Sequence, residues 1–128
     1  MKAWEEFEKF IKDIAEYHGF YTEHRVIFKD DYGRSEIDIL AKRFDIILAI
    51  DAKRYSRGWY RASAIKREAK KHSKRCRRFE KTIGKKVIPV IVTLIDDEIF
   101  KYEGCLVVPV DKFNDFLNNI HFYLEELA

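Results

Sequence analysis

The chain is poor in several kinds of residue, and each shortage excludes classes of protein. It has no glutamine, and its two cysteines, Cys76 and Cys105, lack the close spacing of a disulfide framework or a metal motif. We therefore expect two buried thiols in a reducing compartment. No apolar run approaches the ~20 residues that a membrane helix needs, and the first residues lack the apolar segment of a signal peptide. The sequence thus predicts a cytoplasmic protein with no membrane partner.

The residues that are present predict one folded domain over residues 1–128. The hydrophobic fraction is 47% and the aromatic fraction is 15%, which excludes a disordered chain and supplies enough side chains for a core. Lysine, glutamate and isoleucine are abundant, whereas serine and threonine are scarce. Together with the missing glutamine, this bias is typical of a thermophilic source.

The net charge of +3 conceals a strong asymmetry along the chain. Between Lys53 and Lys86 there are 15 lysines or arginines and two acids, Glu68 and Glu80, which gives +13 for this block and −10 for the remainder. A solvated helix face would normally interleave both signs to gain pairing at i,i+4 spacing. The basic block therefore favours binding of a polyanion over a merely solvated surface.

Hydrophobic periodicity predicts the order helix, three-stranded meander, helix, strand, strand, helix. The predicted elements are Ala3–His18, Phe20–Lys29, Arg34–Ala41, Ile46–Lys53, Tyr60–Thr82, Lys86–Leu94, Gly104–Val110 and a last amphipathic helix capped by Asp111, with Glu98–Tyr102 either a short strand or a connector. The buried seam of the long basic helix should comprise Ala62, Ile65, Ala69, His72, Cys76, Phe79 and Ile83. These elements predict the α/β class, with a mixed central sheet flanked by helices.

Two neighbouring strands carry carboxylates where apolar residues would pack better. They are Glu36–Leu40, which contains Asp38, and Ile50–Tyr55, which contains Asp51 and Lys53. Side chains alternate along a strand, so Asp51 and Lys53 should share a face, and the hairpin should bring Asp38 near Asp51. Two acids and a lysine at one place can hold a divalent cation and activate a water, which suggests phosphodiester hydrolysis. A solvent-facing Asp38 and a plain Asp51–Lys53 ion pair are the alternatives.

The order of these motifs resembles the PD-(D/E)xK nuclease superfamily, which has the restriction-endonuclease-like fold with an αβββαβ core. Gly19-Phe20 after the first helix is similar to archaeal Holliday-junction resolvases, Lys53-Arg54-Tyr55 to Mrr-like endonucleases, and Glu36-Ile37-Asp38 to NERD-type nuclease domains. The resemblance covers roughly residues 4 to 110 and leaves an extra C-terminal strand and helix. The proline that often precedes the first aspartate is replaced by Ile37, and the second acid is Asp51 where glutamate is commoner.

The resemblance implies Mg²⁺ as cofactor, with Mn²⁺ as a substitute, and assigns residues to it. Asp38, Asp51 and the backbone carbonyl of Ala52 would hold the metal, and Lys53 would orient or deprotonate the attacking water. A third acid is expected from the first helix, where Glu8 occupies the position of the resolvase glutamate. Glu36 is the alternative ligand, and an ordinary surface role for Glu8 stays open.

The predicted partner is DNA, held by the basic helix and the loop before it. The predicted DNA-binding residues are Arg54, Arg57, Arg61, Lys66, Arg67, Lys70, Lys71, Lys74, Arg75, Arg77 and Arg78, and those from Lys66 onward avoid the apolar seam and should lie in solvent. Trp59 and Tyr60 would either stack on unpaired bases or fasten the helix to the sheet. His72 and Cys76 are spaced like half a zinc site, but packing beneath the helix is favoured.

These observations predict a Mg²⁺-dependent DNA endonuclease, and they leave open whether it is selective for junctions or branched DNA. A two-fold dimer is expected, because small nucleases often need two sites to cut both strands. The rival hypothesis is a nucleic-acid-binding or assembly protein that keeps the fold without the catalysis.

Overall fold

Six strands and four helices occupy residues 3–54, 61–96 and 98–127, which are the residues that the computed structural model describes. The elements are α1 (Ala3–Tyr17), β1 (Tyr21–Asp30), β2 (Gly33–Arg43), β3 (Ile46–Lys53), α2 (Arg61–Ile83), β4 (Ile88–Thr93), β5 (Lys101–Tyr102), β6 (Cys105–Pro109), α3 (Val110–Asn118) and α4 (Ile120–Leu127).

The strands form one mixed sheet in the order β1-β2-β3-β4-β6-β5. The first three strands are an antiparallel meander. β4 is parallel to both β3 and β6, and the short β5 is antiparallel to β6. Parallel neighbours need a crossover connection, and α2 lies within the one between β3 and β4. The predicted αβββαβ core with additional C-terminal elements is confirmed.

Helices cover both faces of the sheet, which explains why β3 and β4 are almost continuously apolar. On one face, Phe7 of α1 and Phe113 of α3 belong to the same buried cluster as Ile50. On the other face, Phe79 of α2 clusters with Ala49 of β3. Successive residues of β3 therefore pack against opposite layers, as strand alternation requires.

The buried seam of α2 is confirmed from Ile65 to Phe79, but it begins one turn later than predicted. Ala62 is exposed, and Ile65 is the first buried residue that the structure describes on this helix. Ile83, at the other end of the seam, is only half-buried. Ser73 is buried beside the seam, where its hydroxyl donates to the carbonyl of Glu103 at 2.8 Å. No helix in the described part of the chain is both long enough and apolar enough to cross a membrane.

The predicted final helix is two helices, and its predicted cap is wrong. Pro109 occupies the N-cap position without a side-chain hydrogen bond, which places Asp111 inside the first turn of α3. The break between α3 and α4 falls at Asn119, whose backbone leaves the helical region at φ −117° and ψ 29°. Its side-chain Nδ2 donates to the carbonyl of Asp115 at 2.9 Å, and the same carbonyl accepts the backbone N–H of Asn119 at 3.1 Å, so Asn119 caps the C-terminal end of α3.

Candidate active site

The β2–β3 hairpin brings Asp38 and Asp51 together. Ile39 of β2 pairs with Ile50 of β3. Asp38 comes directly before Ile39 and Asp51 directly after Ile50, so the two aspartates are neighbours across these antiparallel strands. Asp38 Oδ2 accepts a hydrogen bond of 3.0 Å from the backbone N–H of Ala52. Burial raises the pKa of Asp38 to about 6, helped by a hydrogen bond to Asp51 and by the charge of Asp51. The two acids therefore form a like-charged pair that a cation would stabilise.

Lys53 lies on the same face as Asp51, as alternation predicts. Its Nζ is 3.3 Å from Asp51 Oδ2 and 3.6 Å from Glu68 Oε2 on α2. The backbone carbonyl of Lys53 accepts a hydrogen bond of 3.2 Å from the N–H of Leu94. This bond fixes the end of β3 to the chain just beyond β4.

Asp51 is 3% exposed, yet its Oδ2 accepts no hydrogen bond within the described residues. Lys53 approaches this oxygen within ion-pair distance but without hydrogen-bond geometry, and Arg75 Nη1 lies farther away, at 3.9 Å. A buried carboxylate oxygen normally has a hydrogen-bonding partner or a metal. Asp51 Oδ2 thus keeps lone pairs available at the place where the two acids meet.

A break in strand alternation lies at the same place. Ile37 belongs to the cluster beneath α2, whereas Ile39, two residues later, belongs to the cluster beneath α1. On β1, Arg25 has φ 56°, a left-handed backbone that is uncommon for a residue other than glycine. It lies between His24, which pairs with Ile39, and Val26, which pairs with Ile37. The local switch of faces therefore surrounds Asp38.

The structure holds the two candidates for the third acid apart from the aspartate pair. Glu8 is 6% exposed, and its carboxylate lies 2.8 Å from His24 Nε2 and 3.4 Å from Arg25 Nη2. Glu36 Oε1 lies 3.7 Å from the other terminal nitrogen of Arg25. Within the described residues, no three His, Cys, Asp or Glu side chains are arranged as a metal cluster. The roles of Glu8 and Glu36 stay predictions.

Three residues of α2 border the site, although none of them was predicted to lie there. Glu68 contacts Lys53, Arg75 approaches Asp51, and His72 lies buried between α2 and β3. His72 Nε2 is 2.8 Å from the carbonyl oxygen of Ala49. Burial lowers the pKa of His72 to about 4. A signal was present: Glu68 is one of only two acids in the basic block, and Arg75 follows it at seven-residue spacing.

The remaining charges of α2 divide between two flanks and an outer face. Arg78 makes bidentate hydrogen bonds to Asp30 at 2.7 and 2.8 Å, whereas Lys66 on the opposite flank lies over the ring of Tyr102. The expectation that all these charges lie in solvent is therefore wrong for Arg78 and Arg75, which are partly buried against acids. The exposed basic residues in the described part of α2 are Lys66, Arg67, Lys70, Lys71, Lys74, Arg77 and Lys81, and Arg54 after β3 is exposed as well.

Some predicted DNA contacts lie outside the described residues. These are Arg57, Trp59, Tyr60 and the side chain of Arg61.

The alternative interpretation of His72 and Cys76 as half a zinc site is not needed. Both residues are buried beneath α2, as the packing interpretation predicts, and His72 faces a backbone carbonyl.

Comparison with solved structures defines the class of fold. The small subunit, R.BspD6I2, of the heterodimeric restriction endonuclease R.BspD6I is similar over 94% of this chain and 76% of its own length, with 16% identity and a TM-score of 0.59. AF1548, a protein of unknown function, is similar over 85% of this chain, with 21% identity and a TM-score of 0.53. The chain spans only about half of AF1548, 53% of its length. The protein has the restriction-endonuclease-like fold.

Sequence comparison supplies the family. No protein-family model matches the chain. A protein of Archaeoglobus fulgidus described as uncharacterized is 51% identical over 125 residues, which cover 98% of this chain and 97% of that protein. The chain therefore belongs to the same family as this archaeal protein.

Proposed function

We propose that this protein is a Mg²⁺-dependent DNA endonuclease that hydrolyses phosphodiester bonds and accepts Mn²⁺ in place of Mg²⁺. The observation that carries the proposal is the junction of Asp38, Asp51 and Lys53, where one buried carboxylate oxygen accepts no hydrogen bond from any residue that the structure describes. The restriction-endonuclease-like fold supports it, as does the similarity to a restriction endonuclease subunit. Selectivity for junctions or branched DNA belongs to the same proposal.

The donor set suits a hard divalent cation. Asp38, Asp51 and the carbonyl of Ala52 offer only oxygen ligands, which Mg²⁺ and Mn²⁺ prefer. When bound, the cation would polarise a phosphoryl oxygen and lower the energy of charge that develops in the transition state.

Lys53 would contribute positioning and charge. Its ammonium lies between Asp51 and Glu68, so it is held at the edge of the acid pair rather than extended into solvent. From there it can orient a water by hydrogen bonding and stabilise negative charge on the phosphate. Glu68 would keep this ammonium in place.

The outer face of α2 would hold the DNA backbone. Lys70, Lys74 and Lys81 recur on one exposed side of the helix, and Arg67 extends the same side toward the N-terminus. From Arg67 to Lys81 the helix rises by roughly 20 Å, the length of about six base pairs. Non-specific phosphate contacts along such a row would give salt-dependent binding.

A nuclease panel tests the proposal. Single-stranded, duplex, flap and four-way-junction DNA are incubated with the protein in Mg²⁺, in Mn²⁺ and in EDTA. We expect metal-dependent cleavage of at least one substrate. Asp51→Asn and Lys53→Ala should abolish it while DNA binding persists. Matched controls are Asp45→Asn and Lys42→Ala, which remove the same groups near the opposite end of the β2–β3 hairpin. Wild-type cleavage rates in both site variants would refute the assignment.

A second function follows from the separation of Glu8 from the aspartate pair. Arg25 and His24 engage Glu8, which leaves two carboxylates at the junction, and a protein that only binds nucleic acid would need no more. In that case the protein is a binding or assembly module with the nuclease fold. Calorimetric titration with Mn²⁺ separates the two functions, since a binding module has no reason to hold the ion. Sedimentation with and without DNA would test the expected dimer.

A further inference from the structure

Arg75 is held by a buried histidine at a distance from Asp51 that leaves the carboxylate open. His72 is fully buried, and its Nε2 faces the carbonyl of Ala49 at 2.8 Å. A carbonyl only accepts, so Nε2 carries the proton and Nδ1 presents its lone pair. Arg75 Nη1 donates to this Nδ1 at 3.1 Å. The imidazole therefore bridges β3 and the guanidinium in a single protonation and tautomeric state.

The nitrogen that His72 engages is also the one closest to Asp51. Arg75 Nη1 lies 3.9 Å from Asp51 Oδ2, beyond the 2.7–2.9 Å that is typical of a charge-assisted hydrogen bond. An unrestrained guanidinium beside a buried carboxylate would normally form a bidentate pair of hydrogen bonds with it. Arg78, which is also on α2, forms such a pair with Asp30 of β1. That closure would occupy the oxygen on Asp51 that accepts no hydrogen bond from the described part of the chain.

We propose that His72 is a positioning residue that holds Arg75 back from Asp51, so that Arg75 supplies charge to the acid pair without blocking a divalent cation. This inference rests on the proposed function of the Asp38–Asp51 junction. It assigns His72 and Arg75 opposite effects on cation binding. His72 favours the cation because it restrains Arg75, and Arg75 opposes it by charge repulsion.

The proposal predicts opposite changes in Mn²⁺ affinity when His72 and Arg75 are removed one at a time, which a histidine with a purely structural role would not produce. Removing His72 frees Arg75 to close on Asp51, so Mn²⁺ affinity should fall. Removing the charge of Arg75 should raise Mn²⁺ affinity by about tenfold or more, because a positive charge about 4 Å from a ligand oxygen opposes a second cation there. Removing both should restore affinity to the wild-type level or above, since no guanidinium remains to close.

The experiment is a double-mutant cycle read by calorimetric titration of metal-free protein with Mn²⁺. The variants are His72→Leu, Arg75→Met and the two combined. Lys74→Met removes an exposed charge from the neighbouring position and should leave affinity within about twofold of wild type. Ile65→Ala disturbs another fully buried position of α2 and controls for loose packing. Thermal melting in EDTA provides a second readout, in which Arg75→Met should lower stability because the acid pair loses a countercharge.

The outcomes separate this inference from the proposed function. If the double variant binds Mn²⁺ as weakly as His72→Leu, His72 does not act through Arg75 and the inference is wrong. It is also wrong if Arg75→Met and Lys74→Met have equal affinity. If His72→Leu fails to fold, the comparison of Arg75→Met with Lys74→Met decides alone. If every variant binds Mn²⁺ with the affinity of the wild type, only the inference is wrong. If no protein binds Mn²⁺, Arg75→Met included, the proposed metal site is wrong as well.

Discussion

Replacing Asp38 by asparagine should make the metal-free protein more stable while it removes activity. Asp38 is buried against Asp51, and its carboxyl has a pKa of about 6, above the ordinary value of 3.8. Ionisation of Asp38 is therefore harder in the folded protein than in the unfolded chain. An asparagine at this position cannot ionise, can still accept the N–H of Ala52 through its carbonyl oxygen, and can donate to Asp51.

The size of the effect follows from the difference between the two pKa values. That difference is about two pH units, and each unit corresponds to about 1.36 kcal/mol, which gives roughly 3 kcal/mol as an upper bound. Asp38 is partly exposed, and solvent screening reduces the figure, so we expect roughly 1 to 3 kcal/mol.

The sign of the pH dependence is opposite to that of a salt-bridged aspartate. Because the folded-state pKa of Asp38 is raised, the destabilisation is fully present above about pH 6 and vanishes below about pH 4. Across that window the unfolding free energy of the wild type should fall relative to that of Asp38→Asn as the pH rises. The advantage of the variant should therefore be near zero at pH 4 and largest at pH 7.5.

Urea denaturation in EDTA at pH 4, 5, 6 and 7.5 measures this difference. Asp30→Asn is the control with the opposite sign, since hydrogen bonds from Arg78 lower the pKa of Asp30. That variant should lose a similar amount of stability at all four pH values, because the stabilising ionisation of Asp30 is lost only below about pH 4. If Asp38→Asn is no more stable relative to wild type at pH 7.5 than at pH 4, then Asp38 carries no such penalty and the description of the acid pair is wrong.

Two further predictions concern the third acid and the basic helix. If Glu8 contributes to the metal site, Glu8→Gln should lower cleavage and Mn²⁺ affinity more than Glu5→Gln, as measured by initial rates and calorimetry; a larger loss from Glu36→Gln would assign the role to Glu36. If α2 binds DNA, replacing Lys70 and Lys74 by alanine should flatten the plot of log affinity against log salt by about 2, with little effect on stability. The same double replacement at Lys9 and Lys12 on α1 should leave the slope unchanged, and equal slopes for both pairs would mean that the basic face of α2 does not contact DNA.

The sheet and the aspartate junction were predictable because both follow from strand periodicity. An apolar run that ends in Asp51 and Lys53, one short turn after a strand that contains Asp38, leaves few arrangements for the hairpin. Alternation then places Asp51 and Lys53 on one face, and the structure agrees. The same reasoning failed at the C-terminus, where the apolar pattern continues through Asn119 although the backbone does not. Hydrophobic periodicity indicates which face of a helix is buried, but it does not show where an asparagine ends the helix.

The environment of the junction was not predictable, because it depends on where two elements lie relative to each other. Alternation alone puts Glu36 and Asp38 on one face, and that expectation fails because the strand changes faces at Asp38. A left-handed residue, Arg25, accompanies this change on the neighbouring strand, and arginine gives no sign of it in the sequence. The flanks of α2 present the same difficulty. Helical spacing identifies the buried seam, but only the docked helix shows that Glu68 and Arg75 lie beside the acids.

The fold holds the like-charged carboxylates of the junction close together, although they would otherwise move apart. Asp38 and Asp51 repel each other, and the sheet register holds them together across the hairpin. Lys53 and Arg75 offset the repulsion only in part, since neither makes a hydrogen bond to the buried oxygen of Asp51. A site built solely for stability would close that ion pair or replace it with apolar residues, which is often neutral or stabilising. This oxygen of Asp51 therefore lowers the stability of the metal-free protein. The loss is expected if a cation binds there, because a ligand that binds only the folded state raises its free energy of unfolding.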